Sequence, residues 1–374
     1  VHTSALPDFP WDTLAEAAAL ARSHPDGIVD LSVGTPVDPT PAVVRAALAA
    51  ASDAPGYPAT HGTPALRQAV VDWFARRRGA PGLDPAAVLP TIGSKELVAL
   101  LPGLLGLGPG DVVVHPLVAY PTYDVGARLA GATPVPADAT SALGPRRVRL
   151  VWLNSPANPT GRVLGVEHLA KVVAWARARG AVVASDECYA ELAWGTAGER
   201  VPSVLDPRVS GGSTHGLLAL YSLSKQSNLA GYRAAFAAGD PALVARLLEV
   251  RKHAGLIVPA PVQAALTAAL RDDAHVAEQR ERYRRRRETL LAALAAAGLR
   301  HDGGEAGLYL WVRAVEDGVD AGRLVEALAR RGILVAPGTF YGPAGAGHVR
   351  MALTAPDARV AAAAERLLSG SLLA

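Results

Sequence analysis

The segment Ser222-Leu-Ser-Lys225-Gln-Ser-Asn-Leu-Ala-Gly-Tyr-Arg233 holds the residues best suited to covalent chemistry. It follows an apolar run at 217–221 that reads as a buried strand. A buried ammonium is costly to desolvate, so burial and nearby cations lower the pKa of such a lysine and make it a nucleophile toward carbonyls. Ser222 and Ser224 offer hydroxyls at spacing two, and Arg233 offers a planar fork suited to phosphate. Together they describe an anion site beside a reactive amine. Taken alone, the same string also fits a surface lysine in an ordinary loop. Gly93, Ser94 and Lys95 form a second candidate anion site, because they follow a strand and open a helix whose backbone N–H groups and dipole favour negative charge.

The elements that must position these groups follow an αβ rhythm. Strands are predicted at 28–33, 88–92, 111–115, 147–153, 181–185 and 217–221, and helices at 41–51, 64–78, 96–105, 123–130 and 166–179. A further helix is expected over 10–24, with Asp12 as its N-cap. Strands separated by helices predict a mostly parallel sheet covered on both faces, with ligands at the carboxyl ends of its strands. The polar residues at 93–95, 154–161, 186–189 and 222–225 all fall just after strands. One long helix is expected over 272–297, where Arg282, Arg284, Arg285, Arg286 and Arg287 read as a solvated face. Strands at 307–312, 333–336 and 348–353, a helix at 321–331 and a glycine loop at 337–347 then make a smaller α+β unit. The expected division is an N-terminal segment over 1–40 that joins the small unit, an α/β unit over 41–270, and the α+β unit over 271–374.

Composition narrows the function. The chain has 374 residues, half of them hydrophobic, which suits large cores and excludes disorder. A formal net charge of +3 argues against nucleic acid as a partner. The single cysteine, Cys188, excludes a disulfide scaffold and a Cys-based metal site, and reads as a small buried hydrophobe. His61 and His253 are scattered, and no metal is expected. The chain opens at Val1, read as a processed or added start, with neither an export signal nor an apolar run long enough to span a membrane. The expectation is a cytoplasmic protein.

The lysine segment resembles the lysine signature of the class I/II aminotransferases, which are pyridoxal-phosphate enzymes of fold type I. Three further strings resemble family motifs in the same order: Asn154-Ser-Pro-Ala-Asn158-Pro-Thr-Gly161, Asp186-Glu-Cys-Tyr189 and His348-Val-Arg350-Met-Ala-Leu. The resemblance implies a three-layer α/β unit with a smaller α+β unit, and pyridoxal 5′-phosphate as cofactor. It implies that Lys225 binds the cofactor aldehyde and moves the substrate Cα proton, and that Asp186 faces the pyridine nitrogen. Tyr189 and Asn158 then hydrogen-bond the ring oxygen. Gly93, Ser94, Lys95, Ser222, Ser224 and Arg233 hold the phosphate, Lys95 through its backbone. Tyr120 stacks on the ring. Arg350 takes the substrate α-carboxylate with help from Asn158, beneath a crossing segment at Gly34. Tyr57 reaches the phosphate of a neighbouring subunit, which makes a homodimer with a shared active site the expected unit.

The strings at 6–12, 29–38, 90–96 and 251–255 further resemble the actinobacterial succinyldiaminopimelate aminotransferases. That likeness implies amine exchange between glutamate and N-succinyl-2-amino-6-oxopimelate, in lysine and diaminopimelate biosynthesis. Arg22, Arg251 and Lys252 are candidate partners for a distal carboxylate. An aspartate, alanine or aromatic aminotransferase, or a fold type I lyase or synthase, is the alternative.

Overall fold

The computed structural model describes residues 6–195 and 200–373; the start at residues 1–3 lies outside them. The strands are β1 (Val29–Asp30), β2 (Val88–Ile92), β3 (Val112–His115), β4 (Thr133–Pro136), β5 (Val148–Asn154), β6 (Val182–Asp186), β7 (Leu217–Ser222), β8 (Ala234–Gly239), β9 (Leu299–His301), β10 (Tyr309–Ala314), β11 (Ile333–Leu334), β12 (Ala336–Pro337) and β13 (Val349–Ala352). Seven of them form one sheet in the order β2-β8-β7-β6-β5-β3-β4. All neighbours run parallel except β8, which is antiparallel to both β2 and β7. Every residue of β7 and β8 is buried, as expected for strands with helices on both faces. One apolar core lies on each face.

Three strands escape sequence reading, the short β9 among them. β4 contains Pro134 and Pro136, which a strand tolerates only at an edge, and β4 is the edge. β8 is four alanines, a phenylalanine and a glycine, poor in the residue types that mark strands. Its place is set by burial between β2 and β7. The helices Pro241–Ala254, Ala260–Arg271 and Asp357–Leu368 are likewise additions to the predicted set.

A second, antiparallel sheet in the order β12-β13-β10-β9 packs on the 23-residue helix Ala274–Ala296 and carries its own core. The N-terminal segment belongs with it, since β1 pairs in parallel with β11. The expected strand over 28–33 is only two residues long, because Asp30 Oδ1 accepts from the Ser32 N–H at 2.9 Å and its hydroxyl at 2.6 Å and turns the chain. The predicted helix over 10–24 is a 3-10 turn, Pro10–Leu14, followed by the α-helix Ala15–Arg22. Asp12 sits inside that turn and caps nothing. Among the described residues no helix is long and apolar enough to cross a membrane.

The arginine run departs from the expected solvated face at two positions. Arg284 and Arg285 are solvated, but the Arg287 side chain is 12% exposed and reaches Glu305 at 3.1 Å, and the Arg286 side chain is only 4% exposed. It forks onto Asp38 at 2.6 and 2.8 Å and reaches Asp357 at 2.5 Å. Position 286 thus ties the N-terminal segment to the small unit. Arg286→Ala leaves Asp38 without its bidentate partner, and removing one member of a buried pair costs about 3 kcal/mol. The expected result is a clearly lower denaturation midpoint, whereas Arg284→Ala leaves it unchanged; equal midpoints for both variants would contradict this.

Candidate active site

The site is assembled where strand ends meet. Register places Asn154 beside Asp186, at the carboxyl ends of β5 and β6. Because β8 runs the other way, its start lies at the same edge: Ala235 pairs with Ser222, and Ala234 pairs with Ile92. Gly93, Ser222 and Arg233 therefore come together. A cleft of about 440 Å³ opens there, walled by Gly34, Ser94, Lys95, Tyr120, Asn158, Asp186, Tyr189, Ser222, Ser224, Lys225, Arg233 and Arg350. Twelve predicted site residues share this one cavity, and Gly93 sits directly behind it as the residue before the helix Ser94–Leu104. Tyr57 is fully exposed and stands apart from the cleft of its own chain.

One end of the cleft is built for an anion. Gly93 has φ +76°, and a Cβ there would collide with the Arg233 guanidinium. Arg233 itself adopts φ +54°, a conformation that non-glycine residues hold only when neighbours enforce it. The Gly93 N–H donates to the Arg233 carbonyl at 2.8 Å. Ser222 and Ser224 hydroxyls bond each other at 2.7 Å. Among the described residues Arg233 has no carboxylate partner; its Nη1 donates to the Ala230 carbonyl at 2.9 Å. The turn is braced from behind by Arg251, wholly buried, which donates to Glu96 at 2.7 and 3.2 Å. That bracing corrects the expectation for Arg251, which is neither a surface charge nor a distal-carboxylate partner. Arg22 is exposed, Lys252 pairs with Glu249, and neither lines the cleft.

The middle holds the reactive pair. Lys225 Nζ donates to the Gly34 carbonyl at 2.5 Å. Burial pushes this amine below the ordinary lysine value; Tyr309 opposes the shift and Arg350 adds to it. Asp186 accepts from the Tyr123 hydroxyl at 2.8 Å and from the Cys188 N–H at 3.2 Å. Burial still pushes its carboxyl up, with those bonds pulling the other way. A buried carboxylate of this kind suits a protonated ring nitrogen, which would supply the opposite charge. Glu187 takes no part in this. It is buried against Arg78 at 3.0 Å and accepts from Ser203 and Val204, anchoring the loop that carries Tyr189.

The far end suits a carboxylate. Arg350 Nη2 donates to the Ser32 carbonyl at 2.5 Å, and Nη1 donates to Asn158 Oδ1 at 3.2 Å. The guanidinium lies 3.9 Å from the Tyr309 ring centroid. Burial disfavours its charge, but Tyr341 and Tyr309 more than offset that and keep it firmly charged. Asn154 orients Asn158 by accepting from its N–H at 2.7 Å.

Sequence reading missed Tyr123 and Tyr309. Tyr123 follows Tyr120 by three residues, so the two rings meet edge to face at 5.8 Å on one side of a helix start. That spacing was the available signal. Tyr309 lies inside an apolar strand and carried none. A larger cavity of about 660 Å³ lies beyond Asn154, but it holds neither Lys225, Asp186 nor Arg233.

Anion cradle, enclosed amine and buried carboxylate together fit a phosphorylated pyridine aldehyde. The amine makes a prediction independent of it. In cofactor-free protein, acylation of Lys225 read by mass spectrometry should rise with pH around a midpoint below the ordinary lysine value of 10.5, because burial favours the neutral form. A midpoint at or above that value would refute the desolvation argument.

Comparison with known proteins agrees with this geometry. The family profile described as aminotransferase class I and II matches residues 26–367. A probable aminotransferase of Mycobacterium tuberculosis is 63% identical over 98% of this chain and 86% of its own length. The 4-dedimethylamino-4-oxo-anhydrotetracycline transaminase of Streptomyces rimosus is 59% identical over 97% of this chain and 99% of its own. Among solved structures, a probable N-succinyldiaminopimelate aminotransferase from Thermus thermophilus superposes with a TM-score of 0.86 at 31% identity, covering 96% of this chain and 99% of that one. With a matching profile over most of its length and these relatives at both levels, the chain belongs to the class I and II aminotransferases and has their fold type I architecture.

Proposed function

We propose that this chain is a transaminase for substrates with a carboxylate at each end, exchanging an amino group between glutamate or 2-oxoglutarate and N-succinyl-2-amino-6-oxopimelate, in the cytoplasm. The family uses pyridoxal 5′-phosphate, which supplies an aldehyde for the amine and a ring that draws electrons from the substrate Cα. Lys225 holds the aldehyde and afterwards shuttles the Cα proton on Nζ. Asp186 keeps the ring nitrogen protonated. Tyr189 and Asn158 bond the ring oxygen, and Tyr120 covers a ring face. Gly93, Ser94, the Lys95 backbone, Ser222, Ser224 and Arg233 take the phosphate. Gly34 and Arg350 hold the α-carboxylate end. The three parts of the chain serve these roles as segments 1–40, 41–270 and 271–374.

The observation that carries the substrate reading is a second cation across the cleft. The Lys95 ammonium lies 5.4 Å from the Phe9 ring centroid. Phe9 lies 5.5 Å from Trp11, and Trp11 lies 5.9 Å from the Arg350 guanidinium. Among the described residues Lys95 has no acidic partner. Two cations separated by an aromatic wall suit a long diacid rather than alanine. The name of the Thermus relative supports the same substrate class. The exposed Tyr57 supports a homodimer in which it serves the partner's phosphate. A second reading, an anhydrotetracycline ketone as acceptor, is favoured by the Streptomyces relative and by the aromatic mouth, where Trp11 also meets Phe340 at 5.4 Å.

Single-turnover assays with glutamate, alanine, succinyldiaminopimelate and an amino-anhydrotetracycline separate these readings. Succinyldiaminopimelate should react well, and Lys95→Ala should raise its KM about tenfold, the size of one exposed-to-half-buried ion pair, with alanine unaffected. No reaction with the succinylated compound sinks the specific substrate and leaves the family untouched. Arg350→Lys should weaken every amino acid alike, because the bidentate fork is lost; unchanged affinity for glutamate would remove Arg350 from the carboxylate site.

A further inference from the structure

The Tyr189 hydroxyl has one hydrogen-bond partner among the described residues: the Tyr309 hydroxyl, 3.3 Å away. The two rings meet edge to face at 5.7 Å, from the loop after β6 and from β10. A phenol has one proton to give and two lone pairs to receive. The direction of this bond therefore decides whether the Tyr189 proton is spent on Tyr309 or is free for a ligand. We propose that Tyr309 is a positioning residue of the transaminase: its hydroxyl donates to the Tyr189 hydroxyl and so commits the Tyr189 proton to the cofactor's ring oxygen. This rests on the assignment of Tyr189 to that oxygen.

The cations beside Tyr309 favour this direction. Tyr309 lies directly beneath the Arg350 guanidinium, 3.9 Å from its ring centroid. The cations Arg350 and Lys225 polarise its O–H and pull its pKa down against burial, while burial pushes the Tyr189 phenol up. The more acidic phenol is the better donor and the less acidic one the better acceptor. The hydroxyl is also fixed in place. Gly34 packs against it so closely that a Cβ at position 34 would collide with it. The Gly34 carbonyl is meanwhile taken by Lys225. The remaining charged or titratable groups around Tyr309 are Asp186, Tyr120, Tyr283 and Tyr341. Tyr123 holds Asp186, and none of the four hydrogen-bonds the Tyr309 hydroxyl.

The chain Tyr309 to Tyr189 to ring oxygen is cooperative, since each donated bond strengthens the next. Its effect is felt at Lys225 Nζ. Stronger donation to the ring oxygen stabilises negative charge there and favours loss of the proton held at Nζ. The pH midpoint of that loss falls with the relay intact and rises without it.

The test is a pH titration of the visible absorbance of the cofactor-loaded enzyme, for the parent, Tyr309→Phe, Tyr189→Phe and the double variant. Tyr309→Phe should raise the midpoint by about 0.2 to 0.5 pH unit, the fraction of a hydrogen bond that cooperativity adds. Tyr189→Phe should raise it further, and the double variant should match Tyr189→Phe because the relay acts only through Tyr189. Turnover by Tyr309→Phe should fall with the glutamate KM within about twofold, since phenylalanine keeps the ring under Arg350. Tyr309→Leu, which removes that ring, should raise KM as well. An unshifted midpoint in Tyr309→Phe, or additive shifts in the double variant, overturns the relay while leaving the Tyr189 assignment standing. An unshifted midpoint in Tyr189→Phe overturns both.

Discussion

The structure turns on keeping Lys225, Arg350 and Asp186 together in a cleft of about 440 Å³ without letting them neutralise one another. In the proposed chemistry Lys225 must be free to give up its proton, Arg350 must keep its charge, and Asp186 must meet a ring nitrogen. Each therefore has its own neutral partners. Lys225 is held by a backbone carbonyl, Arg350 by another carbonyl, an amide oxygen and the Tyr309 ring, and Asp186 by a phenol and an N–H. A carboxylate paired to Lys225 would hold its proton in place, and one paired to Arg350 would occupy the fork, because charges attract strongly where water is scarce. Neutral dipoles orient without titrating. The shifts follow from that choice: burial drives the lysine down and the aspartate up.

The acids and bases that do pair directly lie one layer out. Glu187 with Arg78, Glu96 with Arg251, and Asp38 with Arg286 hold, in turn, the loop of Tyr189, the turn of Gly93, and the N-terminal segment. That segment gives its Ser32 carbonyl to Arg350 and its Gly34 carbonyl to Lys225. It is fastened to the small unit by β1 against β11 as well as by Asp38. Any movement of the small unit thus carries both carbonyls with it, which couples the placement of the carboxylate-binding arginine to the restraint on the reactive amine.

Most of this site is legible in the sequence because its residues sit just past strand ends, where a run of buried apolar residues stops at a polar or glycine residue. Gly93, Asn154, Asp186 and Ser222 all carry that signature. What sequence hides are residues whose neighbours are distant in the chain. Arg286 reads as one of five arginines on a helix face, and only packing shows that it alone turns inward onto Asp38 and Asp357. Arg251 reads as a free charge until Glu96, 155 residues away, is placed beside it. Tyr309 reads as a core aromatic, since nothing local tells a phenol facing Tyr189 from one facing leucines. The alanine strand β8 fails for a related reason: its conformation is imposed by the strands on either side of it.

Once the cofactor has claimed the groups on the strand ends, little of the cleft wall is left to meet a substrate side chain. What remains includes Phe9, Trp11, Val33, Thr35, Lys95, Ala230 and Tyr309. Phe9, Trp11, Val33 and Thr35 come from the N-terminal segment, which contributes nothing to the seven-stranded sheet. Chemistry and specificity are therefore written in different parts of the chain. Substitutions at 9, 11, 33 and 35 can reshape the mouth so long as the Ser32 and Gly34 carbonyls stay on Arg350 and Lys225 and Gly34 keeps its close contact with Tyr309. Relatives 59 to 63% identical along almost the whole chain would need changes at only these few mouth positions to take a different substrate.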